Sequence, residues 1–307
     1  IGSHLCEMSI RKGYKVIGFD RYNSTNSLGC LKNSKYLNHM KIILGDVRDY
    51  DSVHKAMKGC SKVFHLAALI GIPYSYISPL AYLKTNVEGT YNVLESAKNL
   101  NLKDIIITST SEVYGSAKYL PIDELHPLNA QSPYAASKIS ADQLSLSYYK
   151  SFNLPIKIIR PFNTYGPRQS SRAVIPRIIL QCLDKKSKKM ILGNLNPTRD
   201  FNYVEDTCAA YFSVLKNKKL IGKTINIGSN TNISIENLAK KIMRITGRNL
   251  KFQKNKHIVR PKLSEVDNLT CDNYQIKNLT NWDLKINLNQ GLKKTIKWIK
   301  ENYTEYS

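Results

Sequence analysis

The 307-residue sequence lacks the features of a membrane-bound or exported protein. No apolar run approaches the roughly 20 residues of a membrane-spanning helix, and no basic segment followed by apolar residues opens the chain as in a secretory signal. The six cysteines are scattered, with no Cys-x-x-Cys pair and no histidine cluster beside them. This distribution argues against structural zinc and against a disulfide framework. We therefore expect a cytoplasmic protein without membrane contacts or a metal site.

Acidic residues are also few. The chain has 23 Asp and Glu against 46 Lys and Arg, a formal net charge of +23. Such a charge can attract nucleic acid or a diphosphate-bearing substrate. The basic clusters at 185–189 and 216–219 lack the interleaved aromatic residues that stack on bases. We interpret the charge as a lysine-rich bias on solvated faces and expect no nucleic-acid partner.

The most informative stretch runs from residue 104 to residue 138. Its isoleucines at 105–107 predict a buried strand of a parallel sheet. Thr-Ser-Thr-Ser-Glu-Val-Tyr-Gly (108–115) follows at the carboxyl end of this strand, where open α/β sheets bind their ligands. Ser-Pro-Tyr-Ala-Ala-Ser-Lys (132–138) then opens a helix predicted to run through residue 149. Tyr134 and Lys138 are four residues apart and so share one helix face.

This spacing predicts acid–base chemistry. A nearby ammonium favours a phenolate, so we expect Lys138 to lower the pKa of Tyr134 from its usual value of about 10. Such a phenol can remove a proton from a substrate hydroxyl near neutral pH. A Tyr-x-x-x-Lys pair alone is commonly a surface pair. The hydroxyl cluster and the Glu112 carboxylate at the preceding strand end make this combination specific.

Together with Arg-Pro-Phe-Asn-Thr-Tyr-Gly-Pro-Arg-Gln (160–169), these motifs resemble the extended short-chain dehydrogenases/reductases of the NAD-dependent epimerase/dehydratase family. The resemblance covers essentially the whole chain. Within the family, the motifs resemble bacterial NDP-N-acetylglucosamine 4,6-dehydratases of the legionaminic-acid type. The implied fold is α/β, a Rossmann-type doubly wound parallel sheet with a smaller C-terminal α/β substrate-binding domain. We expect an NAD-binding domain at 1–165 and a mainly substrate-binding domain at 166–307, with some segments returning to the first.

The resemblance implies NAD as the cofactor. The family places a first strand and the start of a glycine-rich turn before Ile1 and Gly2, and we expect both to be missing from this sequence. Asp20 ends the second strand of the family, where a carboxylate accepts hydrogen bonds from the adenosine ribose and repels the 2′-phosphate of NADP. Arg21 leaves some room for NADP. The resemblance assigns these residues to cofactor binding: Ile1, Gly2, Asp20, Asp46, Val47, Leu66, Ala67, Ala68, Asn86, Tyr134 and Lys138.

The implied first reaction is oxidation at C4 of an NDP-sugar. Tyr134 takes the hydroxyl proton, Thr110 hydrogen-bonds the same oxygen, and the resulting 4-ketone acidifies C5. A 4,6-dehydratase then needs a base for the C5 proton, a role that Glu112 fits, and an acid that expels the C6 hydroxyl. Glucose 4,6-dehydratases carry Thr-Asp-Glu where this chain has Thr-Ser-Glu, so the acid is Ser111, Glu112 or water. The candidate catalytic residues are Thr110, Ser111, Glu112, Tyr134 and Lys138.

Three alternatives remain open. A 4-epimerase returns the hydride to C4 and typically carries Thr-Val-Tyr-Gly, so Glu112 counts against it. UDP-glucuronate decarboxylases share Thr-Ser-Glu-Val-Tyr-Gly but usually have Asp and Glu inside Tyr-x-x-x-Lys, where this chain has Ala-Ala-Ser (135–137). A non-catalytic RNA-binding or regulatory protein of this fold would have no use for an activated Tyr134.

The resemblance also implies where the substrate binds and how the chain assembles. A guanidinium fork suits phosphate oxygens, and the candidate substrate-binding residues are Thr110, Asn163, Arg199 and Arg260. The nucleotide, UDP, GDP or dTDP, stays open. We expect a homodimer through the helix predicted at 79–99 and the helix after Tyr134.

Overall fold

The computed structural model describes residues 1–255 and 259–306. The helices are α1 (Gly2–Arg11), α2 (Tyr50–Met57), α3 (Ile72–Ile77), α4 (Pro79–Tyr82), α5 (Gly89–Asn99), α6 (Pro133–Phe152), α7 (Val174–Leu183), α8 (Val204–Lys216), α9 (Ile235–Thr246), α10 (Tyr274–Leu279) and α11 (Leu288–Glu301). The strands are β1 (Val16–Arg21), β2 (Met40–Gly45), β3 (Lys62–His65), β4 (Asp104–Thr108), β5 (Ile156–Pro161), β6 (Asn163–Tyr165), β7 (Lys189–Leu192), β8 (Thr198–Arg199), β9 (Phe201–Tyr203), β10 (Thr224–Ile227), β11 (Ile233–Ser234), β12 (Lys251–Lys254) and β13 (Asn268–Leu269).

Parallel strands form the centre of the protein. Strand β1 pairs in parallel with β2, and a four-stranded sheet has the order β10-β5-β4-β3. The three isoleucines of β4, at 105–107, have no exposed surface, which confirms the predicted buried strand. Parallel strands covered on both faces carry such continuous apolar runs. Because the strands run in parallel, their carboxyl ends meet at one edge of the sheet.

Helices cover both faces of this sheet. Side chains alternate along a strand, so Ile105 and Ile107 pack into one core cluster with Leu94 of α5 and Tyr148 of α6. Ile106 points to the other face, into the larger cluster that contains residues of α1, α7, α8, α9 and α11. The predicted Rossmann-type doubly wound α/β fold is confirmed.

The chain beyond residue 165 contributes to two regions. Strand β10 pairs with β5 and extends the central sheet. The remaining short strands form separate groups, β6 with β9, β7 with β12, and β11-β8-β13. Segments β8 and β13 lie side by side, and the site described below uses Arg199 of β8 and residues of the segment that precedes β13.

The helix predicted at 79–99 is interrupted. A π-helical segment, Leu83–Glu88, separates α4 from α5. Wide turns of this kind are frequent at functional sites, and this one carries the fully buried Asn86. Among residues 1–255 and 259–306, no helix has the length and apolar character needed to cross a membrane.

Candidate active site

The carboxyl end of β4 carries the hydroxyl and carboxylate side chains predicted to be catalytic. After β4, the chain turns through Thr110 into a short 3-10 helix, Ser111–Tyr114. The Thr110 hydroxyl caps this helix by accepting a hydrogen bond from the Glu112 backbone N–H over 3.2 Å. Gly115 ends the helix with a φ of 63°, and an added Cβ there would lie 2.5 Å from the Asn129 carbonyl oxygen. This turn therefore fixes the three candidate side chains in a defined arrangement.

Helix α6 brings Tyr134 and Lys138 to the same edge of the sheet. The Ser132 hydroxyl caps the helix by accepting from the Ala135 N–H over 3.1 Å, and a proline occupies the first turn. Tyr134 and Lys138 share one face as predicted, and both are buried. Lys138 Nζ donates to the Thr108 carbonyl oxygen over 2.6 Å, which anchors the ammonium to the end of β4.

The prediction that Lys138 lowers the pKa of Tyr134 is wrong for this structure. Burial raises the pKa of Tyr134 well above its ordinary value of 10.0, against a hydrogen bond with Thr110 that lowers it, and the Glu112 charge raises it further. Burial also lowers the pKa of Lys138. The physical reason is that a low-dielectric environment disfavours the charged form of each group. Tyr134 is nevertheless hydrogen-bonded to Thr110 and lies within the field of the Glu112 charge.

Two clefts lie at the carboxyl ends of β1 and β2. The larger, with a volume of about 530 Å³, is lined by Asp20 and the following residues to Gly29. The smaller, of about 280 Å³, is lined by Asp46, Arg48, Asp49, Lys84 and Glu88. The Arg48 guanidinium pairs with Asp46 and holds the pKa of that carboxyl below its ordinary value. Both aspartates assigned to the cofactor therefore border open space.

Asn86 connects the loop after β3 to the catalytic helix. The predicted cofactor-lining residues 66–68 lie in this loop, directly after β3. Asn86 Oδ1 accepts from the Leu69 N–H over 2.8 Å, and Nδ2 donates to the Leu69 carbonyl oxygen over 3.0 Å and to Ser137 Oγ over 2.9 Å. A substitution of Asn86 would thus disturb the loop and α6 together.

The other predicted cofactor residues frame the same edge. Val47 is 7% exposed, and its carbonyl oxygen accepts from Asn92 Nδ2 over 3.0 Å. Ile1 precedes α1, and a Cβ added at Gly2 would meet no atom within 4 Å, so open space faces this helix end. A helix N-terminus suits a pyrophosphate, and the Asp20 carboxylate suits a ribose diol. The residues at this edge fit a dinucleotide.

The predicted substrate arginines converge on Glu112. Arg260 Nη1 lies 3.5 Å from Glu112 Oε2 and 4.0 Å from Glu265 Oε1. Arg199, in β8, is buried, and its Nη2 lies 3.7 Å from the same Glu265 oxygen. Burial lowers the pKa of Arg199, an effect that the Glu112 charge opposes. Two guanidinium groups and two carboxylates therefore form one cluster beside the catalytic turn.

Asn163 is held next to this cluster by its backbone. Its N–H donates to the Asp200 carbonyl oxygen over 3.1 Å, and Asp200 directly follows Arg199. The buried Asn163 Oδ1 has no hydrogen-bond partner in the part of the chain that the structure describes. A buried amide oxygen of this kind can accept a hydrogen bond from a substrate.

The structure adds three acidic residues that were not predicted. Glu265 contacts both arginines, and it follows Arg260 by five residues in the Arg-Pro-Lys-Leu-Ser-Glu-Val segment (260–266). Asp142 lies on the Tyr134–Lys138 face of α6, where helical spacing could have identified it. Asp200 accepts from the backbone N–H groups of residues 229, 230 and 271, and no local signal in the sequence indicates this role. Among residues 1–255 and 259–306, no group of His, Cys, Asp and Glu side chains could hold a metal ion.

The fold and the Thr110–Tyr134–Lys138 arrangement define a short-chain dehydrogenase/reductase. The chain belongs to the NAD-dependent epimerase/dehydratase group of that class, in the family described as GDP-mannose 4,6 dehydratase, whose model matches residues 1–295. It is 30% identical to a human dTDP-D-glucose 4,6-dehydratase, over 99% of this chain and 88% of the relative. It is also 30% identical to a UDP-glucuronate 4-epimerase of Thermodesulfobacterium geofontis, over 98% and 94% of the two chains.

A solved structure agrees with this assignment. The UDP-glucuronic acid 4-epimerase from Bacillus cereus, in complex with UDP-glucuronic acid and NAD, superimposes with a TM-score of 0.90 at 30% identity. The match covers 99% of this chain and 96% of that chain. Relatives of equal similarity are thus named for different reactions. The side chains of the site therefore have to indicate which reaction this chain fits.

Proposed function

We propose that this protein is an NAD-dependent nucleotide-sugar 4,6-dehydratase that acts on an NDP-hexose with an N-acetyl group, such as NDP-N-acetylglucosamine. One observation carries the reaction type. The Glu112 backbone N–H donates to Thr110 Oγ1 and the Glu112 charge acts on Tyr134, so the carboxylate proposed as the base for the C5 proton lies near the groups proposed to act at C4. A 4-epimerase needs no such carboxylate. The N-acetyl group and the legionaminic-acid type of pathway are supported by the sequence motifs.

The cofactor proposal rests on the fit of the cleft residues. When bound, NAD would supply the hydride acceptor for oxidation at C4 and the hydride donor for reduction at C6. Asp20 would hold the adenosine ribose, Asp46 and Val47 the adenine, and the N-terminus of α1 the pyrophosphate. The loop at 66–68, tied to α6 by Asn86, would lie along the dinucleotide.

Different residues of this chain are proposed to carry out the individual proton transfers. Tyr134 removes the proton of the C4 hydroxyl, and Thr110 hydrogen-bonds the same oxygen. Lys138 is proposed to place a positive charge on the same helix face, but in this structure burial of Tyr134 prevails and keeps the phenol protonated. Glu112 then removes the C5 proton once C4 is a ketone. Expulsion of the C6 hydroxyl requires an acid, for which Glu112 itself, Ser111 or water is available.

Substrate binding is proposed to use the cluster beside Glu112. Arg199 and Arg260 would bind the diphosphate, since a guanidinium offers paired donors to phosphate oxygens. Asn163 would donate a hydrogen bond to the substrate, or accept one from it, beside these two arginines. Glu265 holds both guanidinium groups in place.

We further propose how the chain is divided into domains, how it assembles and where it works. Residues 1–165 form the NAD-binding domain, and residues 166–307 form mainly the substrate-binding domain. Two chains assemble as a homodimer through the helices before and after the catalytic turn. The protein works in the cytoplasm, which the free thiols of all six cysteines support.

A second candidate, an NDP-sugar 4-epimerase, is favoured by the similarity to the two UDP-glucuronate 4-epimerases. The test incubates the protein with NAD and, separately, the UDP, GDP and dTDP forms of N-acetylglucosamine and also UDP-glucuronate. Mass spectrometry that finds a product one water lighter supports the dehydratase and identifies its nucleotide. An unchanged mass with a new epimer by NMR supports the epimerase. Loss of carbon dioxide from UDP-glucuronate would instead show a decarboxylase.

A further inference from the structure

A fully buried carboxylate lies one helical turn beyond Lys138. Asp142 has no exposed surface and follows Lys138 by four residues on the same face of α6. Its Oδ2 accepts from Ser109 Oγ over 2.8 Å and from Arg160 Nε and Nη2 over 3.1 and 2.9 Å. Its Oδ1 has no hydrogen-bond partner among residues 1–255 and 259–306.

The partners of Asp142 belong to the catalytic elements. Ser109 directly precedes Thr110 at the end of β4. Arg160 Nη1 donates to the Tyr114 hydroxyl over 3.0 Å, and Tyr114 closes the 3-10 helix that carries Glu112. One carboxylate thus braces both segments that present the candidate catalytic side chains.

Asp142 is placed to balance the charge of Lys138, because it lies one helical turn away on the same buried face of α6, although its own hydrogen bonds go to Ser109 and Arg160. Lys138 donates to the Thr108 carbonyl oxygen, a neutral acceptor, so its charge is not balanced there. His65 of β3 is neutral because burial and Lys138 lower its pKa to about 3. Burial lowers the pKa of Lys138, and the Asp142 charge opposes that effect. The remaining charged or titratable groups that face this region are Tyr134, Glu112, Arg160 and Tyr211, whose hydroxyl donates to Thr108 Oγ1.

We propose that Asp142 is a positioning residue that keeps Lys138 charged in the buried site and divides its own charge between Lys138 and Arg160. The inference rests on the proposed function, because it matters for catalysis only if Tyr134 and Lys138 act at C4. In the alternative, the Asp142 carboxylate balances the charge of Arg160 alone. Removal of Asp142 would then leave an unpaired buried cation and lower stability, but the charge of Lys138 would not respond.

The experiment reads the charge of Lys138 directly. Lysine labelled with ¹³C at Cε is incorporated into the protein, the Lys138 resonance is assigned with Lys138→Met, and its titration is followed by NMR. We expect Lys138 to lose its proton at a lower pH in Asp142→Asn. In Arg160→Gln we expect loss at a higher pH, because Asp142 then faces Lys138 alone. Asp283→Asn, which changes an exposed carboxylate paired with Lys277, should leave the titration unchanged.

The test is decisive because the two substitutions are expected to shift the titration of Lys138 in opposite directions. Equal titration in all variants, or a shift to lower pH in both Asp142→Asn and Arg160→Gln, would overturn the proposal. If Asp142→Asn does not fold, Arg160→Gln alone tests the proposal. The proposal is overturned if Lys138 does not lose its proton at a higher pH in Arg160→Gln than in the unaltered protein. The titration needs no substrate, so a failure of the sugar assays with the expected NMR shifts would refute the proposed function and not the role of Asp142. Where turnover is found, the upper pH limit of kcat should move down in Asp142→Asn.

Discussion

Arg260 Nη1 lies 3.5 Å from Glu112 Oε2, so a proposed phosphate-binding residue touches the proposed catalytic base. The 3-10 helix after β4 presents Glu112, whereas Arg260 comes from the segment before β13. The contact therefore joins the sheet edge to a part of the chain almost 150 residues further on. It also gives the two residues separable roles, which substitutions can distinguish.

Glu112→Gln should remove dehydration and retain oxidation. A glutamine occupies the same volume but cannot take the C5 proton, so we expect kcat for water loss to fall by about a hundredfold or more. Tyr134 and Thr110 stay intact, and the reduced cofactor should accumulate in a single turnover, measured by its absorbance. The matched control is Glu265→Gln, which should keep dehydration. Undiminished water loss in Glu112→Gln would show that another group is the base.

Arg260→Gln should weaken substrate binding more than it slows the chemistry. Hydrogen bonds to charged groups contribute about 1.5–3 kcal/mol, so we expect KM to rise on the order of tenfold to a hundredfold. The dissociation constant of the free nucleoside diphosphate, measured by calorimetry, should rise by a similar factor. Arg244→Gln, on α9 and outside the cluster, serves as the control. An unchanged dissociation constant would remove Arg260 from the phosphate site.

The sequence predicted those parts of the site that depend on local spacing. Tyr134 and Lys138 share a helix face because they are four residues apart, and the hydroxyl cluster follows a buried strand because three isoleucines precede it. Neither fact requires knowledge of distant residues. Gly115, with its positive φ, ends the catalytic turn in the same local manner.

Properties that depend on tertiary burial could not be predicted in this way. The Tyr-x-x-x-Lys spacing alone predicts a fall in the pKa of Tyr134, because it carries no information about burial. In the fold, burial raises the pKa of Tyr134, the Glu112 charge raises it further, and the hydrogen bond with Thr110 opposes both effects. The contact of Glu265 with Arg199 joins residues 66 positions apart in the chain, and the π-helical segment around Asn86 interrupts a helix whose sequence pattern is continuous. Such features follow from packing between elements.

Asp20→Ser should relax the preference for NAD over NADP. The carboxylate borders the larger cleft at the end of β1, where it would lie beside a 2′-phosphate. A like-charge contact in water costs about 1 kcal/mol for each charge pair, so we expect affinity for NADP to rise on the order of tenfold. Fluorescence titration with both cofactors measures this ratio, with Asp283→Ser as the control. A constant ratio would mean that Asp20 does not contact the ribose.

Glu124→Gln should change how stability depends on pH. Burial raises the pKa of Glu124 from 4.5 to about 7, against a hydrogen bond from the Asn226 N–H that lowers it. The folded state therefore binds more protons than the unfolded state between these values, and stability decreases as the pH rises from about 5 to about 7. Chemical denaturation should show a loss of at most about 3 kcal/mol, calculated at 1.36 kcal/mol per pKa unit. The glutamine variant should lack this part of the loss. If the free energy of unfolding depends on pH in the same way in both proteins, the prediction is contradicted.

Leu83→Glu should separate the proposed dimer. Ile77, Leu80 and Leu83 are 78%, 60% and 46% exposed on the α3–α4 segment and the π-helical segment that follows it. Exposed apolar side chains that adjoin one another are typical of interaction surfaces, and a buried glutamate at a dimer interface would be costly. Light scattering should give twice the chain mass for the unaltered protein and the single-chain mass for Leu83→Glu. Leu263→Glu replaces a leucine that is 88% exposed in another part of the structure, and this variant should remain a dimer. If the unaltered protein has the single-chain mass, the homodimer proposal fails; if Leu83→Glu stays dimeric, the interface lies elsewhere.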